Sequence, residues 1–96
     1  MKKIIYKYPL NSSIVKIQMP VGAKILCVQD QYNTPTLWAE VDIYQPTENR
    51  VFSLILTGED FETTYKTYIG TCVLDQGSYV VHIYETKIKC TLSSLS

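Results

Sequence analysis

Alternation is the property of this chain that most limits what it can fold into. From Lys2 to Glu85 apolar and polar side chains change places almost residue by residue, in runs rich in Ile, Val, Thr and Tyr. A period of two puts successive side chains on opposite faces of an extended strand, and β-branched and aromatic residues pack best on a pleated surface. Strands are therefore predicted at Lys2–Tyr8, Ile14–Met19, Lys24–Tyr32, Thr36–Tyr44, Arg50–Thr57, Tyr65–Leu74 and Ser78–Glu85. The breaks between them hold turn-forming residues: Pro9 with Asn11-Ser12-Ser13, Pro20-Val21-Gly22, Asn33-Thr34-Pro35, Pro46-Thr47-Glu48-Asn49 and Asp75-Gln76-Gly77. Only Gly58–Thr64, with Glu59, Asp60 and Glu62, reads as a loop or a single helical turn. Short strands in series without a helix imply an all-β fold, an antiparallel β-sandwich or small barrel.

With 96 residues the chain holds one core. Residues 1–85 form the expected domain and 86–96 a C-terminal extension. There Ile88, Cys90 and Leu92 alternate with Lys87 and Lys89, as an added edge strand would, in this subunit or a neighbour, or folded back on its own domain.

Charge narrows the partners. Nine basic and nine acidic residues give a net charge of zero. Lys2, Lys3 and Lys7 are the densest basic group, too sparse for the concentrated footprint that long nucleic acid requires. A small anion needs only one or two placed cations and stays possible. The Met1–Tyr6 opening imitates a secretion signal, but Lys7 and Pro9 interrupt its apolar run. No stretch approaches the ~18–20 apolar residues of a membrane span. The expectation is a cytoplasmic protein without membrane contact. Cys27, Cys72 and Cys90 make an odd count, consistent with free thiols in a reducing compartment, and no CxxC spacing marks a zinc site. Neither metal nor cofactor is expected.

The fourth and last strands carry the most chemistry. Leu37, Ala39, Val41 and Ile43 share a core face, leaving Thr36, Trp38, Glu40, Asp42 and Tyr44 opposite. Trp38 suits either a loop or subunit contact or a stacking platform for a planar ligand. In the last strand Tyr79, Val81 and Ile83 point one way and Val80, His82 and Tyr84 the other. His82 is the sole histidine. It is read as a hydrogen-bonded structural residue or as a contact to phosphate or hydroxyl. Arg50, the sole arginine, can hold phosphate as a bidentate fork. Catalysis is not expected: Cys72 beside His82 is conceivable, but no nucleophile elbow or glycine-rich phosphate loop occurs. Eight tyrosines are too many for so small a core, so some should line an interface.

Several segments together resemble a family of small phage and prophage proteins. They are Tyr8-Pro9-Leu10, Met19-Pro20-Val21-Gly22-Ala23-Lys24-Ile25-Leu26-Cys27-Val28-Gln29, Leu37-Trp38-Ala39-Glu40-Val41-Asp42, Thr57-Gly58, Tyr68-Ile69-Gly70-Thr71 and Val80-Val81-His82-Ile83-Tyr84-Glu85. Where the family has glycine-threonine-glycine, this chain has Leu56-Thr57-Gly58. The resemblance implies phage origin and a compact β fold, and brings no activity with it. By analogy of size and context, the expected function is a non-enzymatic homo-oligomeric sponge. It would sequester a nucleotide-derived host immune signal, of the anti-CBASS or anti-Thoeris type, in the host cell cytoplasm. The candidate pocket is lined by Trp38, Arg50, Thr57, His82 and Tyr84. The alternative is a protein-interaction module, a phage inhibitor of a host protein or a virion accessory protein.

Overall fold

The computed structural model describes residues 2–87. Seven strands form two antiparallel sheets packed face to face, so of the two expected architectures the chain adopts the sandwich. β1 (Ile4–Pro9), β4 (Thr34–Val41) and β3 (Lys24–Gln31) make a three-stranded sheet in the order β1-β4-β3. β2 (Ile14–Pro20), β5 (Thr47–Leu56), β7 (Tyr79–Thr86) and β6 (Lys66–Leu74) make a four-stranded sheet in the order β2-β5-β7-β6.

The predicted strands are all present, and their differing ends have local causes. The β3–β4 reversal falls on Tyr32 and Asn33, not on Asn33-Thr34-Pro35. Both adopt positive φ (51° and 66°), as a two-residue hairpin turn requires. Asn33 Oδ1 then accepts the Asp75 N–H (2.9 Å), tying this turn to the β6–β7 turn. Pro35 lies inside β4. Its carbonyl accepts Leu10 N–H (2.8 Å), so its missing donor points toward the end of β1 and the β3 ladder loses nothing. At the other end β4 stops at Val41, because Asp42 Oδ1 accepts the Tyr44 N–H (3.0 Å) and turns the chain. Ile43, expected in the core, is consequently a 42% exposed turn residue. The 58–64 segment is a loop without helix. Of the C-terminal extension, Thr86 closes β7 and Lys87 N–H donates to the Tyr65 carbonyl (2.6 Å). Ile88, Cys90 and Leu92 lie outside the described residues.

The core is the inward row of β2 to β7: Met19, Val28, Leu37, Ala39, Val41, Phe52, Cys72, Leu74, Val81 and Ile83 are all buried. Two of its features bear on the site. Near Glu85, Arg50 joins the sheets, as described below. At Gly70, the sheets touch: a Cβ built there would lie 2.6 Å from Val28 Cγ1. β6 has a bulge between Tyr68 and Gly70, and β3 one between Ile25 and Cys27. The two bulged strands face each other across this contact and close one side of the sandwich.

The Gly70 contact gives a direct test. Val28 is β-branched, buried and stiff, so it cannot turn aside cheaply. Gly70→Ala should destabilise by about 1–3 kcal/mol through overpacking. Val28→Ala in the same chain should relieve part of that loss. Chemical denaturation of the two single variants and the double variant measures the coupling; strictly additive losses would refute a direct contact.

Candidate functional site

β7 lies between β5 and β6, and its outward residues occupy the middle of the four-stranded sheet's free face. His82 stands opposite Ile55 on β5 and Thr71 on β6, and Tyr84 opposite Ser53 and Tyr68. Both imidazole nitrogens are engaged. Nε2 lies 2.8 Å from Thr57 Oγ1 and Nδ1 2.9 Å from Thr71 Oγ1, whose oxygen also lies 2.5 Å from the Tyr68 hydroxyl.

Two proton orders satisfy this chain with a neutral ring. In one, Tyr68 donates to Thr71, Thr71 to Nδ1, and the Nε2 proton goes to Thr57, whose own hydrogen is left over. In the other, every bond reverses and the Tyr68 hydrogen is left over. Either way a hydroxyl donor is presented at one end of the row.

The bulge builds this row. Residues 68 and 71 would face opposite sides of a regular strand. The extra residue between Tyr68 and Gly70 returns Thr71 to the outer face, while Cys72 turns inward opposite Val81. Above Tyr84, the 58–64 loop folds back so that the Phe61 ring lies 4.9 Å from the Tyr84 ring, and Tyr68 meets the same ring edge-on at 5.5 Å. The loop is braced by its own acids. Glu59 accepts the Leu56 N–H at 2.9 Å, and Glu62 accepts the N–H and hydroxyl of Thr64, which hold its carboxyl below the usual range. Lys66 sits on the same outer face beside Thr86.

The five residues expected to share a pocket divide three ways. Thr57, His82 and Tyr84 come together on this face. Trp38 is half-buried on the outer face of the other sheet, between Lys7 and Cys27. Arg50 points into the sandwich. Its Nε and Nη2 grip Glu85 at 2.6 and 2.8 Å, and Nη1 donates to the Ala23 carbonyl at 2.6 Å. The Glu85 hydrogen bond raises the guanidinium pKa further above its already high value, and Glu48 lies close enough to add to it. A cation so matched is a cross-sheet connector, and the acids beside it repel a phosphate. Within one chain, then, the five do not line one pocket. Phe61, Tyr68 and Thr71 were missed by alternation alone; Gly70 inside a strand was the available signal, since an interior glycine often marks a bulge.

A concavity, also unforeseen, opens between the sheets at the opposite end from Arg50. It measures about 380 Å³ and is bounded by residues of the β1–β2, β3–β4 and β5–β6 connections, with Leu10, Leu54, Leu74 and Val81 among its walls.

Cys72 and His82 do not form the pair considered from the sequence. Cys72 is 2% exposed and faces the core, away from His82. Burial raises its thiol pKa, which disfavours the reactive thiolate. The Thr57–His82 contact has hydroxyl–imidazole geometry, but Nδ1 is held by another hydroxyl, where a base triad places a carboxylate to match the imidazolium. Among the described residues no group of His, Cys, Asp and Glu side chains is placed to hold a metal ion. Among them, too, no helix is long and apolar enough to cross a membrane.

Residues 1–91 match the family described as a domain of unknown function, DUF7352. The chain belongs to that family. No curated protein matches the chain, and no solved structure does. The matched region runs past β7, so the family's shared sequence includes the whole sandwich and both faces described above.

Two outcomes are expected. Arg50→Met should cost about 3–5 kcal/mol by leaving the Glu85 carboxylate nearly buried and unpaired, whereas Arg50→Met with Glu85→Leu should recover most of it. Denaturant midpoints of the three proteins decide, and a double variant as unstable as the single one would deny the pairing. Thiol labelling should leave Cys72 unmodified in the native protein and modify it on unfolding, read by peptide mass; rapid native modification would place it outside the core.

Proposed function

We propose that this protein is a non-enzymatic binding module that takes a small, planar, nucleotide-like ligand on the outer face of its four-stranded sheet. One observation supports the reading: the three-ring cluster of Phe61, Tyr84 and Tyr68 adjoins the hydroxyl–imidazole row of Thr71, His82 and Thr57. Rings supply stacking, worth ~1–3 kcal/mol per base. The row supplies donors and acceptors for a base edge, a ribose hydroxyl or a phosphate oxygen. Lys66 supplies positive charge in place of Arg50. In the phage context that the sequence resemblance implies, such a module acts as an oligomeric sponge for a nucleotide-derived host immune signal.

A second reading, a protein-interaction module, is favoured by Tyr32 and Tyr44. They are 95% and 91% exposed on the turns at opposite ends of β4. Capture of a stoichiometric host or virion protein that is lost in Tyr32→Ser or Tyr44→Ser would favour it over the nucleotide reading.

To test the first reading, the protein is mixed with cyclic dinucleotides and ADP-ribose derivatives, repurified and denatured, and the released ligand is measured. Near-stoichiometric recovery is expected from the native sequence. Tyr84→Ala should weaken binding by about tenfold or more, the equivalent of ~1.4 kcal/mol of lost stacking, and His82→Ala should weaken it in the same direction. No recovery at micromolar concentration would dispose of the nucleotide reading.

A further inference from the structure

Sheet edges expose unpaired backbone groups, and proteins normally blunt them with bulges, lysines, prolines or a covering element. Among the described residues, three of the four edges are managed. β3 and β6 are bulged and packed against each other at Val28 and Gly70. β2 alternates exposed Lys16 and Gln18 with an inward row of Val15, Ile17 and Met19, and ends in Pro20. β1 is different. It is regular along its whole pairing with β4, with Ile4, Tyr6 and Tyr8 on one face and Ile5 and Pro9 flanking a single lysine, Lys7, on the other. Ile4 and Tyr6 stand opposite the fully buried Val41 and Ala39, yet remain 42% and 41% exposed because the second sheet does not cover them; Ile5, on the other face, is 59% exposed.

We propose that β1 is the self-association edge of this protein, pairing antiparallel with β1 of a second copy about a two-fold axis at Tyr6. Backbone parity makes the edge available. Leu10 N–H bonds to the Pro35 carbonyl in continuation of the β1–β4 register, so Ile4, Tyr6 and Tyr8 turn their backbone groups toward β4. Ile5 and Lys7 turn theirs outward. A two-fold axis through the sheet must oppose residues of like face, which leaves axes at Ile5, Tyr6 or Lys7.

Charge then selects among them, because like charges directly opposite destabilise a pair. An axis at Ile5 sets Lys3 against the copy's Lys7, and an axis at Lys7 sets that lysine against itself. An axis at Tyr6 sets Lys7 against the copy's Ile5 and Lys3 against its Pro9, with no lysine opposed to another. In that register Ile5 and Lys7 exchange backbone hydrogen bonds with Lys7 and Ile5 of the copy. Ile4 is covered by the copy's Tyr8, and Tyr6 meets Tyr6. Within each chain the Tyr6 and Tyr8 rings already meet edge-on at 6.4 Å, so the contact extends an existing aromatic row across the axis. This self-complementarity favours a second copy over a foreign strand, since an isologous contact satisfies both edges at once.

The inference deepens the oligomeric part of the proposed function and is tested without ligand, so either can fail alone. Sedimentation of the full-length protein over a dilution series should show twice the chain mass. Ile5→Pro removes only an outward N–H, which the β1–β4 ladder does not use, and should give the single-chain mass. Tyr6→Lys places like charges on the axis and should do the same through the side chain alone, so it decides the matter if the proline variant fails to fold. Ile14→Lys, on the β2 edge, should leave the dimer intact. A single-chain mass for the native sequence at every concentration would overturn the proposal. So would a dimer that survives both β1 substitutions or dissociates on Ile14→Lys.

Discussion

Two sheets approach only as closely as their facing side chains permit, and at Gly70 one strand presents none. The contact with Val28 there lets bulged β3 and bulged β6 close one side of the sandwich. The same bulge rotates Thr71 back to the outer face, where it meets His82 and Tyr68. Packing inside and hydrogen bonding outside are thus set by one irregularity. In a regular β6 with Tyr68 kept outward, Thr71 would turn inward and Cys72 outward, spoiling both the polar row and the core.

Electrostatics works in the same direction. The only arginine is drawn inward by Glu85 and the Ala23 carbonyl, connecting the first half of β5 to the end of β7 and to the residue before β3. Satisfying a nearly buried carboxylate in this way leaves no free guanidinium for a ligand. The positive charge of the outer face is therefore carried by lysines, Lys66 on β6 and Lys16 in the same row on β2, beside neutral hydroxyls and rings. Under the proposed ligand-binding reading, such a face would select by shape and hydrogen-bond pattern more than by charge.

How far the residues alone reveal this protein follows from the range of each interaction. Alternation located all seven strands, because the two-residue period is a property of the extended backbone and of one-sided burial, both local. It also sorted His82 and Tyr84 from Val81 and Ile83 along β7, as the burial pattern shows. It misplaced Ile43, because an Asp42 side chain can end a strand that the pattern would continue. Membership of the DUF7352 family names the shared sequence without adding chemistry to it.

What joins residues distant along the chain was settled only in three dimensions. Trp38, Arg50 and His82 looked equivalent as polar-face candidates, yet strand order put Trp38 on the other sheet, and Glu85 claimed Arg50. Phe61 reached Tyr84 because its loop folded back. The one-residue slip at Ile69 brought Tyr68 and Thr71 to one side, which no regular period contains. The sequence by itself determined the strands and their buried rows, since neighbours along the backbone decide those. Tertiary structure decided which outward residues meet, since that depends on strand order, bulge position and the competition of partners for a single charge.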